Sequence, residues 1–368
     1  MRKIIQYNQV LIFIVCALLL LALPFLTDEL LGRGWVRILD FALLFIMLAL
    51  GLNIVVGYAG LLDLGYVAFF AVGAYTYALL ASPQLGLHLP FWIILPIGAL
   101  IAGLFGALLG TPTLKLRGDY LAIVTLGFGE IIRIFLNNLN APVNITNGAQ
   151  GISQIDPISI ADFYFSRSHE ILGITFHSVH QHYYLFLALT LLVIFVSSRL
   201  QYSRIGRAWM AIREDEVAAA AMGINTRNIK LLAFVMGASF GGIAGGLFAG
   251  FQGFVSPESF SLMESIMILC MVVLGGMGNI GGVVLGGVLL VVLPEALRNG
   301  AGPAQQWLLG KTLIDPESLR LLFFGIALIA VMLWRPAGLW PSSTRRRELE
   351  AVDGVAQQEQ DTVYDAKH

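Results

Sequence analysis

Long unbroken apolar runs, not alternation, pattern this chain. The runs recur at close to twenty residues, about the length one α-helix needs to cross the hydrocarbon of a bilayer. They predict spans at Gln9–Leu26, Trp35–Val56, Leu61–Ala81, Phe91–Leu109, Tyr120–Leu139, Tyr183–Ser198, Ile229–Phe254, Ser261–Leu274, Ile280–Leu297 and Leu319–Trp334. Strands of a membrane barrel would instead alternate apolar and polar positions over short segments. In lipid a spanning segment must satisfy its own backbone N–H and C=O groups, which a helix does. The expected fold class is an all-α polytopic membrane protein of about ten transmembrane helices. The third and eighth spans are the least regular. Asp63 and the glycines around it allow the third to be broken or re-entrant, and the eighth is short.

The polar segments between the runs set the organisation. A transmembrane domain is expected over 1–341, with long connections at 140–182 and 199–228, and 342–368 reads as a polar, disordered tail. Placing the N-terminus in the cytoplasm puts Arg2, Lys3, Lys115, Arg117, Arg199, Arg204, Arg207, Arg213, Arg227, Lys230, Arg335, Arg345, Arg346 and Arg347 inside. Arg33, Arg37, Arg167, Arg298, Lys311 and Arg320 then fall outside, fourteen basic residues against six. The excess of basic residues on the cytoplasmic side predicts both termini inside and an even number of spans. Arg2 and Lys3 before the first run imitate a signal peptide, but Pro24, Phe25 and Leu26 stand where a small-residue cleavage site belongs. The first run is therefore expected to stay as a span.

Composition agrees: 57% of the 368 residues are hydrophobic and 12% charged, against about a quarter charged in soluble domains. Mean hydropathy is +0.80. A net charge of −1 gives no footprint for nucleic acid. Cys16 and Cys270, both within apolar runs, do not make a disulfide framework. Glycine is dense, with Gly241/Gly245 and Gly242/Gly246 each forming G-x-x-x-G, which predicts close helix packing in lipid; a flexible gate is the alternative.

Two phosphate-binding patterns fail on context. Gly310-Lys311-Thr312 ends like a P-loop, but Gln305 stands where its first glycine belongs. Gly276 to Gly281 spells G-x-G-x-x-G between two membrane helices, not between a strand and a helix. No ATP binding or hydrolysis, no metal and no cofactor is expected on this chain, and paired catalytic carboxylates, H-E-x-x-H and G-x-S-x-G are absent from its spans.

The informative polar segment runs from Arg204 to Gly223. Glu214, Asp215 and Glu216 stand where a helix N-terminus favours negative charge. Strong helix formers follow, including Ala219 and Ala220, and Gly223 supplies the stop. A two-turn helix outside the membrane results. It suits either docking into a groove of a cytoplasmic partner or stabilising the bundle from the interface.

This acidic–alanine–glycine loop resembles the EAA coupling loop of ABC importer permeases, although it lacks that pattern's Leu-Pro ending. More closely, the chain resembles LivM-type permeases of branched-chain amino acid importers. The matching stretches are Gly51 to Gly65, Leu116 to Tyr120, Leu126 to Arg133, Thr146 to Gly151, the coupling loop itself and Gly275 to Asn279, within about residues 35 to 340. The resemblance implies a permease subunit of the inner membrane that imports leucine, isoleucine and valine. It implies a second, LivH-type permease, two cytoplasmic ATP-binding subunits that carry ATP and Mg²⁺, and a periplasmic amino-acid-binding protein. Arg213, Glu214, Asp215, Glu216, Ala219, Ala220 and Gly223 would couple to the ATPases. Permeases for urea or short amides share the pattern. An ion-coupled secondary carrier is the rival from another class, with Glu130 and Asp63 as the acids worth naming for its coupling site, but it leaves the alanine-rich helix unexplained.

Polar groups within spans are expensive, roughly 2.5–3.5 kcal/mol at mid-helix. Glu130 and Arg133 lie three residues apart and can pair, either as a structural tie or as part of a path or gate. Asp63 suits a helix N-terminus, Asn53 suits an interhelical hydrogen bond, and both are also candidates for the path. Asp40 and Glu264 are expected to reach water near span ends. Thr146, Asn147 and Gly148 open a glycine-containing turn that either receives a substrate carboxylate or shapes its own loop. His177, His180 and His182 are close enough for a metal, but no cysteine or clear carboxylate accompanies them in the sequence.

Overall fold

The structure, a computed structural model, describes residues 2–341 except 115, 117, 161–162, 172–173, 310–321, 323–324, 327–328, 331–332 and 336–337. Most of the tenth expected span, Leu319–Trp334, lies outside the described residues, as do the tail 342–368, Lys115, Arg117 and Lys311. The described chain forms α1 (Arg2–Leu31), α2 (Arg33–Asn53), α3 (Val67–Leu80), α4 (Phe91–Thr113), α5 (Asp119–Asn138) and α6 (Ser178–Gln201). It continues through α7 (Arg204–Glu214), α8 (Glu216–Ala221), α9 (Thr226–Gln252), α10 (Leu262–Gly275) and α11 (Ile280–Leu309). Among the described residues, six helical stretches are long and apolar enough to cross a membrane: Arg33–Tyr58, Phe91–Thr113, Ser178–Gln201, Thr226–Gln252, Pro257–Gly275 and Ile280–Asn299. The connection 140–182 holds β1 (Ile152–Ser153), β2 (Ser159–Ile160), β3 (Phe163–Tyr164), β4 (His169–Ile171) and β5 (Ile174–Phe176). Of these, β1 pairs with β6 (Phe254–Val255), just beyond α9.

Helix α9 is the centre of the bundle, packed by α2, α3 and α4. Its glycines make this possible. A Cβ on Gly242 would stand 2.6 Å from Gly98 O and 2.6 Å from Ala102 Cβ, both on α4. Dispersion gained at such close approach holds helices together where lipid tails remove the hydrophobic incentive. Phe70 of α3 and Phe248 of α9 add a tilted ring pair at 5.3 Å, and Phe260 meets Phe70 edge-on at 5.2 Å.

The third expected span is helical only from Val67. Helix α2 ends in a π-helical turn, Ile54–Tyr58, and residues 59–66 are irregular. Irregular backbone at membrane depth persists only where protein satisfies it, and here it does. Leu61 N donates to Val55 O at 3.0 Å, Leu64 N to Thr125 Oγ1 of α5 at 3.0 Å, and Val67 N to Ser265 Oγ of α10 at 3.0 Å. Other boundaries move outward: α6 starts at Ser178 and α11 runs to Leu309. Asp40, expected at water, is fully buried, because α1, α6, α9, α10 and α11 all pack on α2 and cover it.

Candidate functional site

The segment between α6 and α9 folds as two helices where one was expected. Ser203 caps α7, its Oγ accepting Gly206 N at 3.1 Å. Asp215 is extended and caps α8, its Oδ1 accepting Val217 N at 2.8 Å and Ala218 N at 3.0 Å. Asp215 and Glu216 thus stand at a helix N-terminus as their charge favours, whereas Glu214 closes α7 and sits at a C-terminus. Gly223 takes φ +85°, the left-handed conformation that ends α8 with little strain for glycine.

One side of this pair is fastened to the bundle. Trp209 is buried, its Nε1 donating to Ile229 O at 2.7 Å. Glu216 pairs with the buried Lys230 at 2.6 Å, and Ala219 is buried beside them. Arg213 donates to Gly57 O in the π-helical turn of α2. A Cβ on Gly60 would stand 2.7 Å from Arg213 Cγ, so only glycine lets the arginine stem lie there. The other side is open: Glu214, Asp215, Val217, Ala218, Ala220, Ala221, Met222 and Gly223 are exposed, with Val217 69% and Met222 84% accessible. Small residues around two apolar knobs make a shallow face.

The irregular segment 59–66 continues the chain of contacts inward. Asp63 is completely buried, its Oδ1 accepting Gly65 N at 2.9 Å, while its Oδ2 has no hydrogen-bond partner among the described residues. It therefore holds the break itself, four residues ahead of α3. Gly65 lies against α5, where a Cβ on Gly129 would be 3.2 Å from Gly65 Cα. On the same helix Arg133 Nε meets Glu130 Oε2 at 3.0 Å, and Arg133 Nη1 reaches Glu258 Oε1 at 3.3 Å in the turn before α10. This trio is only partly covered, on a face of α5 that also exposes Tyr120, Ile123, Ile131, Ile134 and Phe135.

The remaining candidates separate from this line. Asn53 Oδ1 accepts Gly278 N at 2.9 Å, tying α2 to the turn between α10 and α11. That turn is the G-x-G-x-x-G sequence, with Gly276 at φ +123° and Gly278 at φ +80°. Thr146 Oγ1 donates to Leu136 O at 2.7 Å, and Asn147 Nδ2 to Gly151 O at 3.0 Å. Gly148 is buried against the end of α5, where a Cβ would be 2.9 Å from Asn137 O, so this turn's amides face its own fold. Sequence reasoning did not single out Lys230, Thr125, Ser265 or Glu258; a hydroxyl or a charge within or at the edge of an apolar run was the available signal.

An apolar bundle with six helical stretches long and apolar enough to cross a membrane has the build of a polytopic membrane protein. The chain belongs to the family described as branched-chain amino acid transport system / permease component, whose model matches residues 34–332. It is 43% identical over 365 residues to the high-affinity branched-chain amino acid transport system permease protein LivM of Escherichia coli K12, covering 96% of this chain and 79% of that protein. The Salmonella typhimurium LivM protein matches to the same extent, and the permease protein LivH of that organism is 27% identical over 69% of this chain and 81% of its own length. No solved structure matches the chain. The chain is a transport component rather than an enzyme.

Proposed function

We propose that this chain is one half of the translocation unit of an ATP-driven importer for leucine, isoleucine and valine. Similarity to both LivM and LivH proteins supports pairing with a second, LivH-type permease. In this reading two ATP-binding subunits, carrying ATP and Mg²⁺, dock at α8, a periplasmic binding protein delivers the amino acid, and both termini lie in the cytoplasm. The observation that carries the reading is the latch: the helix pair with an open face is fixed to the broken span through Arg213–Gly57 and Glu216–Lys230.

The mechanism follows from that continuity. The exposed Ala218, Ala220 and Met222 face seats in a groove of the ATPase, and closure of the ATPases displaces α7 and α8 together. Arg213 draws on the π-helical turn, a helix defect of a kind frequent at functional sites. The segment 59–66 passes the shift to α5 through Gly65 and Gly129. There Glu130, Arg133 and Glu258 line the face toward the second permease and the path. A charged trio at membrane depth is tolerated where it meets protein or water rather than lipid. Selectivity then rests largely with the binding protein, and the spans need no tight polar pocket.

The test is co-purification in mild detergent followed by reconstitution with the recovered ATPases. Gly223→Pro cannot adopt φ +85° and removes the donor to Ala220 O, and Glu216→Lys sets like charges together at Lys230. Both are expected to retain membrane insertion and ATP hydrolysis while losing uptake. Normal uptake in both variants would refute the coupling role, and uptake of urea in place of leucine would refute the substrate.

A further inference from the structure

The sequence places three histidines together at the start of α6 but no carboxylate. The fold supplies one. Asp28, near the C-terminal end of α1, meets His177 and His180, and the donor atoms of the three all lie within 4.8 Å of one another. His180 is 1% exposed. Its ring stacks on Phe25 at 5.0 Å, and Phe176 meets Phe25 edge-on at 5.4 Å. His182 takes no part; its Nδ1 is bound to Ser178 O at 2.8 Å.

His180 Nε2 is buried and has no aligned hydrogen-bond partner among the described residues, whereas the His177 ring takes part with His180 in the capping box that starts α6. His180 Nε2 stands 3.3 Å from Asp28 Oδ2 without hydrogen-bond alignment. A buried nitrogen of this kind is normally satisfied by protein, water or an ion. Tetrahedral Zn²⁺ with bonds of 2.0–2.1 Å holds its ligand atoms about 3.3 Å apart. The His180–Asp28 spacing already has that value.

We propose that Asp28, His177 and His180 form a Zn²⁺ site that staples the outer end of α1 to α6. The ligands are His177 Nδ1, His180 Nε2 and Asp28 Oδ2, with water in the fourth position. Two imidazoles and one carboxylate suit Zn²⁺ and exclude Ca²⁺ and Mg²⁺, which prefer all-oxygen shells. Ligation at Nε2 places the proton of the neutral ring on Nδ1, so the long 3.3 Å contact from His177 N is given up. The site extends a seam already made by Tyr183 OH to Leu20 O at 3.1 Å and Tyr184 OH to Leu21 O at 2.7 Å.

The test uses the full chain in detergent, metal-stripped and free of any histidine tag, titrated with Zn²⁺ against a chromophoric chelator. Wild type is expected to bind one Zn²⁺ and to melt at a higher temperature with it, while Ca²⁺ does neither. Asp28→Asn and His177→Ala alter half-buried positions, so both are expected to fold, shown by an unchanged melt without metal. Each is expected to weaken Zn²⁺ by more than about tenfold, the loss that removal of even an outer-shell partner brings; His169→Ala, outside the cluster, leaves binding intact. A wild type that holds no Zn²⁺, or binding unchanged in both cluster variants, overturns the site.

Discussion

Glu216 and Lys230 are both charged, yet losing one is expected to matter far more than losing the other. Their contact is 2.6 Å, with side-chain exposure of 31% for Glu216 and 7% for Lys230. Removing one partner of a fully buried pair costs about 3–5 kcal/mol, whereas exposed pairs contribute about 0.2–1 kcal/mol. Glu216→Gln strands the Lys230 ammonium in a buried position, so its cost falls between the two regimes and toward the upper one, at roughly 2–3 kcal/mol. Lys230→Met keeps a long apolar stem in the same space and leaves Glu216 free to turn to water, at roughly 1 kcal/mol or less. The double variant is expected to recover much of the loss of Glu216→Gln, because no charge is then left unpaired. Heat denaturation of the purified chain in detergent, run as a double-mutant cycle, measures this order. In the reconstituted importer, amino acid moved per ATP hydrolysed is expected to fall most for Glu216→Gln. A Lys230→Met variant as unstable as Glu216→Gln would refute the burial argument. An unchanged transport-to-hydrolysis ratio in both would remove the latch from the coupling route.

Three further outcomes are expected. Gly242→Ala puts a Cβ 2.6 Å from Gly98 O, nearly 1 Å inside normal contact, and is expected to lower stability in detergent by about 1–3 kcal/mol as overpacking does. Gly127→Ala on α5 meets nothing within 4 Å and is expected to be neutral or slightly stabilising through helix propensity; equal destabilisation by the two would deny the close packing of α4 and α9. Arg133→Gln leaves both Glu130 and Glu258 without their cation and is expected to reduce uptake several-fold with ATPase docking intact, and Glu130→Gln less so; normal transport by Arg133→Gln would take α5 out of the path.

The order in which structure becomes legible follows the range of the forces involved. A spanning helix closes its hydrogen bonds within itself, so run length alone placed Phe91–Leu109, Ile229–Phe254 and Ile280–Leu297, within a few residues of the helical stretches Phe91–Thr113, Thr226–Gln252 and Ile280–Asn299. The cap of α8 was readable for the same reason: Asp215 bonds Val217 N and Ala218 N, two and three residues away, and Gly223 carries its own conformational freedom. Glu130–Arg133, one helical turn apart, was also within reach.

What the tertiary structure alone decided lies between residues far apart in the chain. The break before α3 was suggested by Gly60 and Gly65, but its boundary depends on Thr125 and Ser265 accepting backbone N–H groups across separations of 61 and 198 residues. Glu258 joins Arg133 across 125 residues, and Arg213 reaches Gly57 across 156. Asp28 joins His177 and His180 only because α1 and α6 lie side by side. Hydrophobicity says that a segment is buried, without direction. Which buried polar group finds which partner is settled by helix packing, since an unpaired group in lipid or in the bundle core is costly.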